Sequence, residues 1–162
     1  MAIGLLTLAA TGTLALLLTL LEGYLRPLPV SRHFILGLSA TTLLVMAHSF
    51  ILFFLIATGV ELKDMEKAQG WGDSFRRRTV AMKSRVFPVA TLALLVVMAN
   101  FILGAAAHTR LLPGWAHGLL GWLTLGLCLV TLKREYAVLG ENNRLIAEAG
   151  ERRRGAGPGG GG

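Results

Sequence analysis

Four histidines, His33, His48, His108 and His117, are the side chains in this 162-residue chain best suited to chemistry in apolar surroundings. Imidazole titrates near neutral pH and ligates metals through either ring nitrogen. A histidine inside a bilayer therefore suggests an axial haem ligand, a proton relay or a quinone contact. His48 stands in M-A-H-S-F, in the middle of the longest apolar run. A hydrated imidazole there is costly, so it should face a protein interior and hold a partner. The structural alternative is a neutral ring bonded to a threonine, an asparagine or a backbone carbonyl. His33, His108 and His117 fall near the ends of their runs, at a shared depth. At 1.5 Å per residue, His48 and His117 differ by roughly 16 Å along the axis, too far to grip one haem. A bis-His haem b would draw its ligands in pairs from His33, His117 and His108, with His48 in a separate site.

Other chemistry lacks its signatures. No H-x-x-x-H or Cys/His cluster fixes a metal geometry, so no metal site is assigned, although the three outer histidines are of a type that binds Zn or Cu. C-x-x-C-H is absent, which argues against covalent c-type haem. There is no G-x-S-x-G, H-E-x-x-H, P-loop or dinucleotide fingerprint, and the expectation is a protein that is not an enzyme. The lone Cys128 lies in an apolar run as a small packing residue. Two further polar residues inside runs are Asn100, suited to an interhelical hydrogen bond, and Thr124 on a small, polar stripe with His117, Gly121, Cys128 and Thr131.

The histidines are placed by a repeat. Residues 26–37 read R-P-L-P-V-S-R-H-F-I-L-G and residues 110–121 read R-L-L-P-G-W-A-H-G-L-L-G, both fitting R-x-L-P-x-x-x-H-x-x-L-G at an offset of 84. Matched Arg, Pro, His and Gly outweigh chance Leu matches, so the chain reads as a tandem duplication of one helical hairpin. His33 and His117 are repeat mates. His48 faces Leu132 in the repeat and breaks the symmetry.

Four apolar runs, residues 3–21, 34–58, 88–107 and 115–132, are long enough to cross a bilayer as helices. The helices are expected at about 3–21, 32–60, 88–107 and 115–149, in one domain over 1–149. Ser31 is the expected N-cap of the second, Pro88 the first residue of the third, and 150–162 a disordered Gly/Arg tail. Glu22 is expected at the outer interface, paired with an arginine or solvated.

The net charge of +7 is distributed as a topology signal. Of 16 Lys and Arg, 13 fall in the second loop and the C-terminal segment, which makes both termini cytoplasmic by the positive-inside rule. This argues against nucleic acid as the partner. The inner loop, 61–87, is broken by G-W-G, with Trp71 as an interfacial anchor. Beyond it, Asp73 or Ser74 is expected to cap a short amphipathic helix. Its Phe75, Thr79, Met82 and Val86 side is expected against lipid, and Arg76, Arg77, Arg78, Lys83 and Arg85 against the anionic inner leaflet. On the cytoplasmic extension, Leu132, Tyr136, Leu139 and Ile146 form an apolar seam.

The expected fold is an all-α, four-helix bundle of two duplicated hairpins in a membrane, with bacterial cytoplasmic membrane as the location. In architecture it resembles small four-helix b-type cytochromes and quinone-reactive anchor subunits. First among functions stands a non-catalytic accessory subunit bound to a membrane-protein partner or to copies of itself. Haem- or quinone-based electron transfer through the histidines follows, and an oligomeric channel or carrier comes third.

Overall fold

The computed structural model describes residues 1–25 and 29–155. Four helices account for nearly all of them: α1 (Ala2–Leu25), α2 (Val30–Gln69), α3 (Ser74–His108) and α4 (Gly114–Gly155). Each is long and apolar enough to cross a membrane. Two regions lie outside the described residues: Arg26, Pro27 and Leu28 of the first R-x-L-P turn, and residues 156–162 of the expected tail.

α1 and α3 each pack against both α2 and α4 and do not touch one another, whereas α2 and α4 meet across the bundle. The square is thus flattened along its α2–α4 diagonal. Gly12 sits against the backbone of Leu44, where an added Cβ would lie 3.1 Å from the Leu44 nitrogen, so small residues bring α1 and α2 close. At about 1.5 Å per residue α1 is roughly 36 Å long, while α2 and α4 exceed 55 Å. Past the start of α1 the bundle therefore continues as a three-helix stalk of α2, α3 and α4.

The surface changes where α1 begins. In the four-helix part the outward residues are large and apolar, among them Leu14, Leu18, Phe53, Leu95, Ile102 and Leu123. On α2 this girdle runs from Phe34 to Ile56, about 33 Å of helix, against roughly 30 Å of bilayer hydrocarbon. In the stalk the exposed large hydrophobics among the described residues are Val60 and Val80; Tyr136, next to the Glu135 that pairs with His48, belongs to the four-helix part.

Several sequence expectations change in the stalk. Residues 61–87 are not a loop with a separate surface helix. α2 runs on to Gln69, the chain turns through Gly70 and Gly72 at φ 63° and 76°, and α3 starts at Ser74. The physical cause is Glu66 on α2. Its carboxylate accepts hydrogen bonds from Phe75 N (2.7 Å) and Arg76 N (3.0 Å), amides that a new helix otherwise leaves open. Asp73 occupies the N-cap position without a side-chain bond.

The Phe75, Thr79, Met82 and Val86 face is buried against α2 and α4 rather than against lipid. Trp71, expected as an interfacial anchor, lies at the far end of the stalk, against Phe75 and under the Arg152 guanidinium, 5.0 Å from its ring centre. Pro88 lies within α3, not at its start. Proline has no N–H for the Ser84 carbonyl there, and the next carbonyl, that of Arg85, accepts a bond from Arg134 Nη1 on α4 (3.1 Å).

α4 continues to Gly155, through the first part of the expected tail. Its buried seam is Gly121, Thr124, Cys128, Thr131, Glu135, Val138, Asn142, Leu145 and Ala149. The alternating steps of three and four are coiled-coil spacing. Tyr136, expected in the seam, is 69% exposed. At the start of α2, Pro29 takes the N-cap position expected for Ser31.

Candidate functional site

The α2–α4 diagonal carries the most unusual chemistry. His48 on α2 and Glu135 on α4 are both fully buried, and Nδ1–H of the imidazole donates to Glu135 Oε1 at 2.8 Å. Thr131 and Cys128 lie on the same stripe of α4, and Leu44, Ala47 and Ile51 flank His48, all buried. Ten residues along α2, Thr58 Oγ1 donates to Asn142 Oδ1 at 3.0 Å, a second buried polar bond between the same two helices. Three buried atoms of this seam have no partner among the described residues: His48 Nε2, Glu135 Oε2 and Asn142 Nδ2. An imidazole oriented through Nδ1 by a carboxylate, with Nε2 left free, is the arrangement used to hold a ligand or pass a proton. Two ionisable groups removed from water also tie α2 to α4 in one register.

His33 and His117 form a second cluster at the hairpin end. Their rings approach edge to face, 6.4 Å between centres. Each leans on a glycine of the neighbouring helix in its own hairpin: an added Cβ at Gly23 would meet the His33 ring, and one at Gly104 would meet the His117 ring. His117 Nδ1 is buried without a partner among the described residues. These two histidines are thus brought together. His108 is exposed at the end of α3. His48 lies fifteen residues beyond His33, about 22 Å of helix, in a separate layer. Among the described residues no three His, Cys, Asp or Glu side chains converge as metal ligands would.

The remaining polar positions resolve simply. Asn100 is buried beside Gly121, and its Oδ1 lacks a partner among the described residues. Thr124 donates to the Leu120 carbonyl of its own helix at 2.7 Å. Glu22 pairs with Arg32 at 3.2 Å. The basic cluster is largely engaged inside the stalk. Arg78 binds Glu148 and Arg85 binds Glu141 on α4, Arg76 lies 3.8 Å from Asp73, and Arg77 is exposed. Lys83 packs over Gly59 and Thr79, and this burial pushes its amine below the usual lysine range.

Glu135 is the site residue that sequence reading missed. It stands in K-R-E-Y, which reads as solvated charge. The signal that reveals it is the three-and-four spacing of the α4 seam, which passes through Glu135 and Asn142. No protein-family model matches the chain, and no curated protein or solved structure matches it either.

Proposed function

We propose that this protein is a small multi-pass membrane subunit, without catalytic activity of its own, whose stalk holds a partner on the cytoplasmic side. The observation that carries this reading is the stalk itself. α2, α3 and α4 continue well past the apolar girdle as a built structure, closed by the Glu66 cap, the Arg78–Glu148 and Arg85–Glu141 pairs and the Trp71–Arg152 contact. A chain that only needed to cross the membrane would turn back at the girdle's edge. The excess of Lys and Arg on the stalk side supports a cytoplasmic location.

Tandem duplication of a hairpin agrees with the histidine–glycine packing found in both halves. It agrees too with Thr58 and Asn142, which bond to each other and are 84 residues apart, the repeat offset. Asn143 and Arg144 are exposed on the stalk part of α4 and offer a contact independent of the fold. In gently solubilised native membranes, a tagged chain is expected to bring down a protein in fixed ratio, and Asn143→Ala with Arg144→Glu to reduce the yield at least fivefold. A chain recovered only as a solitary monomer overturns this reading.

A second reading has its own observation. The His33 and His117 rings stand 6.4 Å apart on two helices, and turning them out of edge-to-face contact would let one haem b iron sit between them, which favours electron transfer near the outer face. A reduced-minus-oxidised spectrum of protein purified from haem-replete cells should then show a b-type α band that His117→Ala removes. A flat spectrum retires it.

A further inference from the structure

The stalk leaves two exposed faces that fit each other, and we propose that they join neighbouring copies of this chain side by side in the membrane. The inference rests on the reading of the stalk as the contacting part of the molecule. The first face is the groove between α2 and α4, beneath the start of α1, with a volume of about 550 Å³. Ala57, Val60 and Ala68 contribute apolar floor, Glu61 and Asp64 line the α2 wall, and Arg153 lines the other. In the four-helix part this corner belongs to α1; in the stalk it is open. The second face is the outward side of α3. There Asp73, Arg77, Val80 and Ser84, all exposed, follow steps of four, three and four. They point away from the buried Phe75, Thr79, Met82 and Val86, and so form a second seam of helix-packing spacing.

Charge makes the two faces complementary. Of the nine acids, six have partners: Glu22, Asp73, Glu135, Glu141 and Glu148 in ion pairs, and Glu66 on the α3 amides. Glu61, Asp64 and Glu151 have none among the described residues, in a chain with a net charge of +7, and Glu61 and Asp64 line the groove. Arg77 on α3 is likewise without an acidic partner there. Val60 and Val80, 51% and 60% exposed, are the two large hydrophobics exposed on the stalk among the described residues, one on each face.

Depth makes the match specific. The Glu66 bonds to Phe75 and Arg76 and the Arg78–Glu148 pair set the register of the three helices. From the Glu66 level, Asp64 and Arg77 both lie about 3 Å toward the membrane, and Val60 and Val80 both about 8 Å. Arg153 and Asp73 both lie about 3 Å the other way. Copies in one bilayer share orientation and depth, so residues at equal height meet. Asp64 faces Arg77, Val60 faces Val80, and Arg153 faces Asp73, with Glu61 about one turn above Arg77 on the membrane side.

A groove-to-groove dimer would instead set acids against acids. The contact is therefore heterologous, and because its two faces lie on opposite sides of the stalk it builds rows or large rings rather than closed pairs. α1 fills the corner above the groove, so the neighbour's α3 must cross it obliquely from below. That confines the contact to the first turns of α3.

Cysteine cross-linking in membranes tests the geometry. Within one chain positions 64 and 77 face opposite ways, so a disulfide between them reports a neighbour. A chain carrying Asp64→Cys and Arg77→Cys should, on mild oxidation, give a ladder of dimer, trimer and higher species. Chains carrying Asp64→Cys with Arg144→Cys, or only the buried Cys128, should give at least fivefold less. In otherwise native chains, Asp64→Arg should cut lysine-reactive cross-linking severalfold, and Asp64→Arg with Arg77→Asp should restore it. Monomer alone, a ladder equal to the control, or no rescue by the swap overturns the inference. If any of these occurs while another protein still co-purifies in fixed ratio, the subunit reading stands and only self-association falls.

Discussion

At the scale of the residue, the buried His48–Glu135 bond is where the chain departs furthest from what stability alone would choose. Removing an imidazole and a carboxylate from water costs several kcal/mol per charged group, and the bond between them offsets this only while both are present. A shape-matched apolar pair would serve packing as well or better. The asymmetry gives an expected pattern. His48→Ala or Glu135→Ala each strands a buried partner and should cost about 3 kcal/mol or more. His48→Leu with Glu135→Leu should recover most of that loss, and Glu135→Gln, which keeps an acceptor for Nδ1–H, should fall between. Unfolding of the detergent-solubilised protein by SDS, followed by circular dichroism, reads all four. Single variants as stable as the parent would show that the bond is not made.

At the scale of the element, what was legible was what repeats locally. Leu-, Ala- and Val-rich runs bounded by R-x-L-P turns located four helices, because hydrophobicity over twenty residues is a property of the run itself. The matching sequence contexts of His33 and His117 put them at one depth; that their rings meet is shown by the structure. The G-W-G break at 70–72 marked a true turn, with two glycines in the left-handed region. α3 shows where legibility ends. Its Phe75, Thr79, Met82 and Val86 face was visible as a stripe, but a stripe does not say whether lipid or protein covers it. The cover came from α2 and α4, whose charged halves look solvated in sequence. Likewise the Glu66 cap joins residues on two helices across a turn, and no N-terminal capping pattern announces it. Glu135 and Asn142 were hidden for the opposite reason: an apolar-periodicity test skips polar residues at core positions, although their spacing obeys it.

At the scale of the whole molecule, the two halves of the bundle suit different surroundings. The four-helix half wears an apolar girdle about 33 Å tall on α2, whereas the three-helix half wears ion pairs. Nothing in a helix bundle as such requires this change. It follows if one half sits in hydrocarbon and the other in water, since exposed leucines and phenylalanines at this density would drive aggregation in water. α1 stops within the girdle half, whereas α2, α3 and α4 run on and build the stalk. With the Lys and Arg excess on the stalk side, the stalk turn and both chain ends should share the cytoplasm, leaving the α3–α4 turn outside. Single cysteines and a membrane-impermeant maleimide test this on intact cells. Thr109→Cys, exposed in that turn, should label without permeabilisation, while Gly72→Cys and Arg154→Cys should label only after it. The reverse pattern would invert the topology and move the stalk, with any partner it holds, to the other face. Labelling of all three from outside would mean that the apolar girdle is covered by something other than a bilayer.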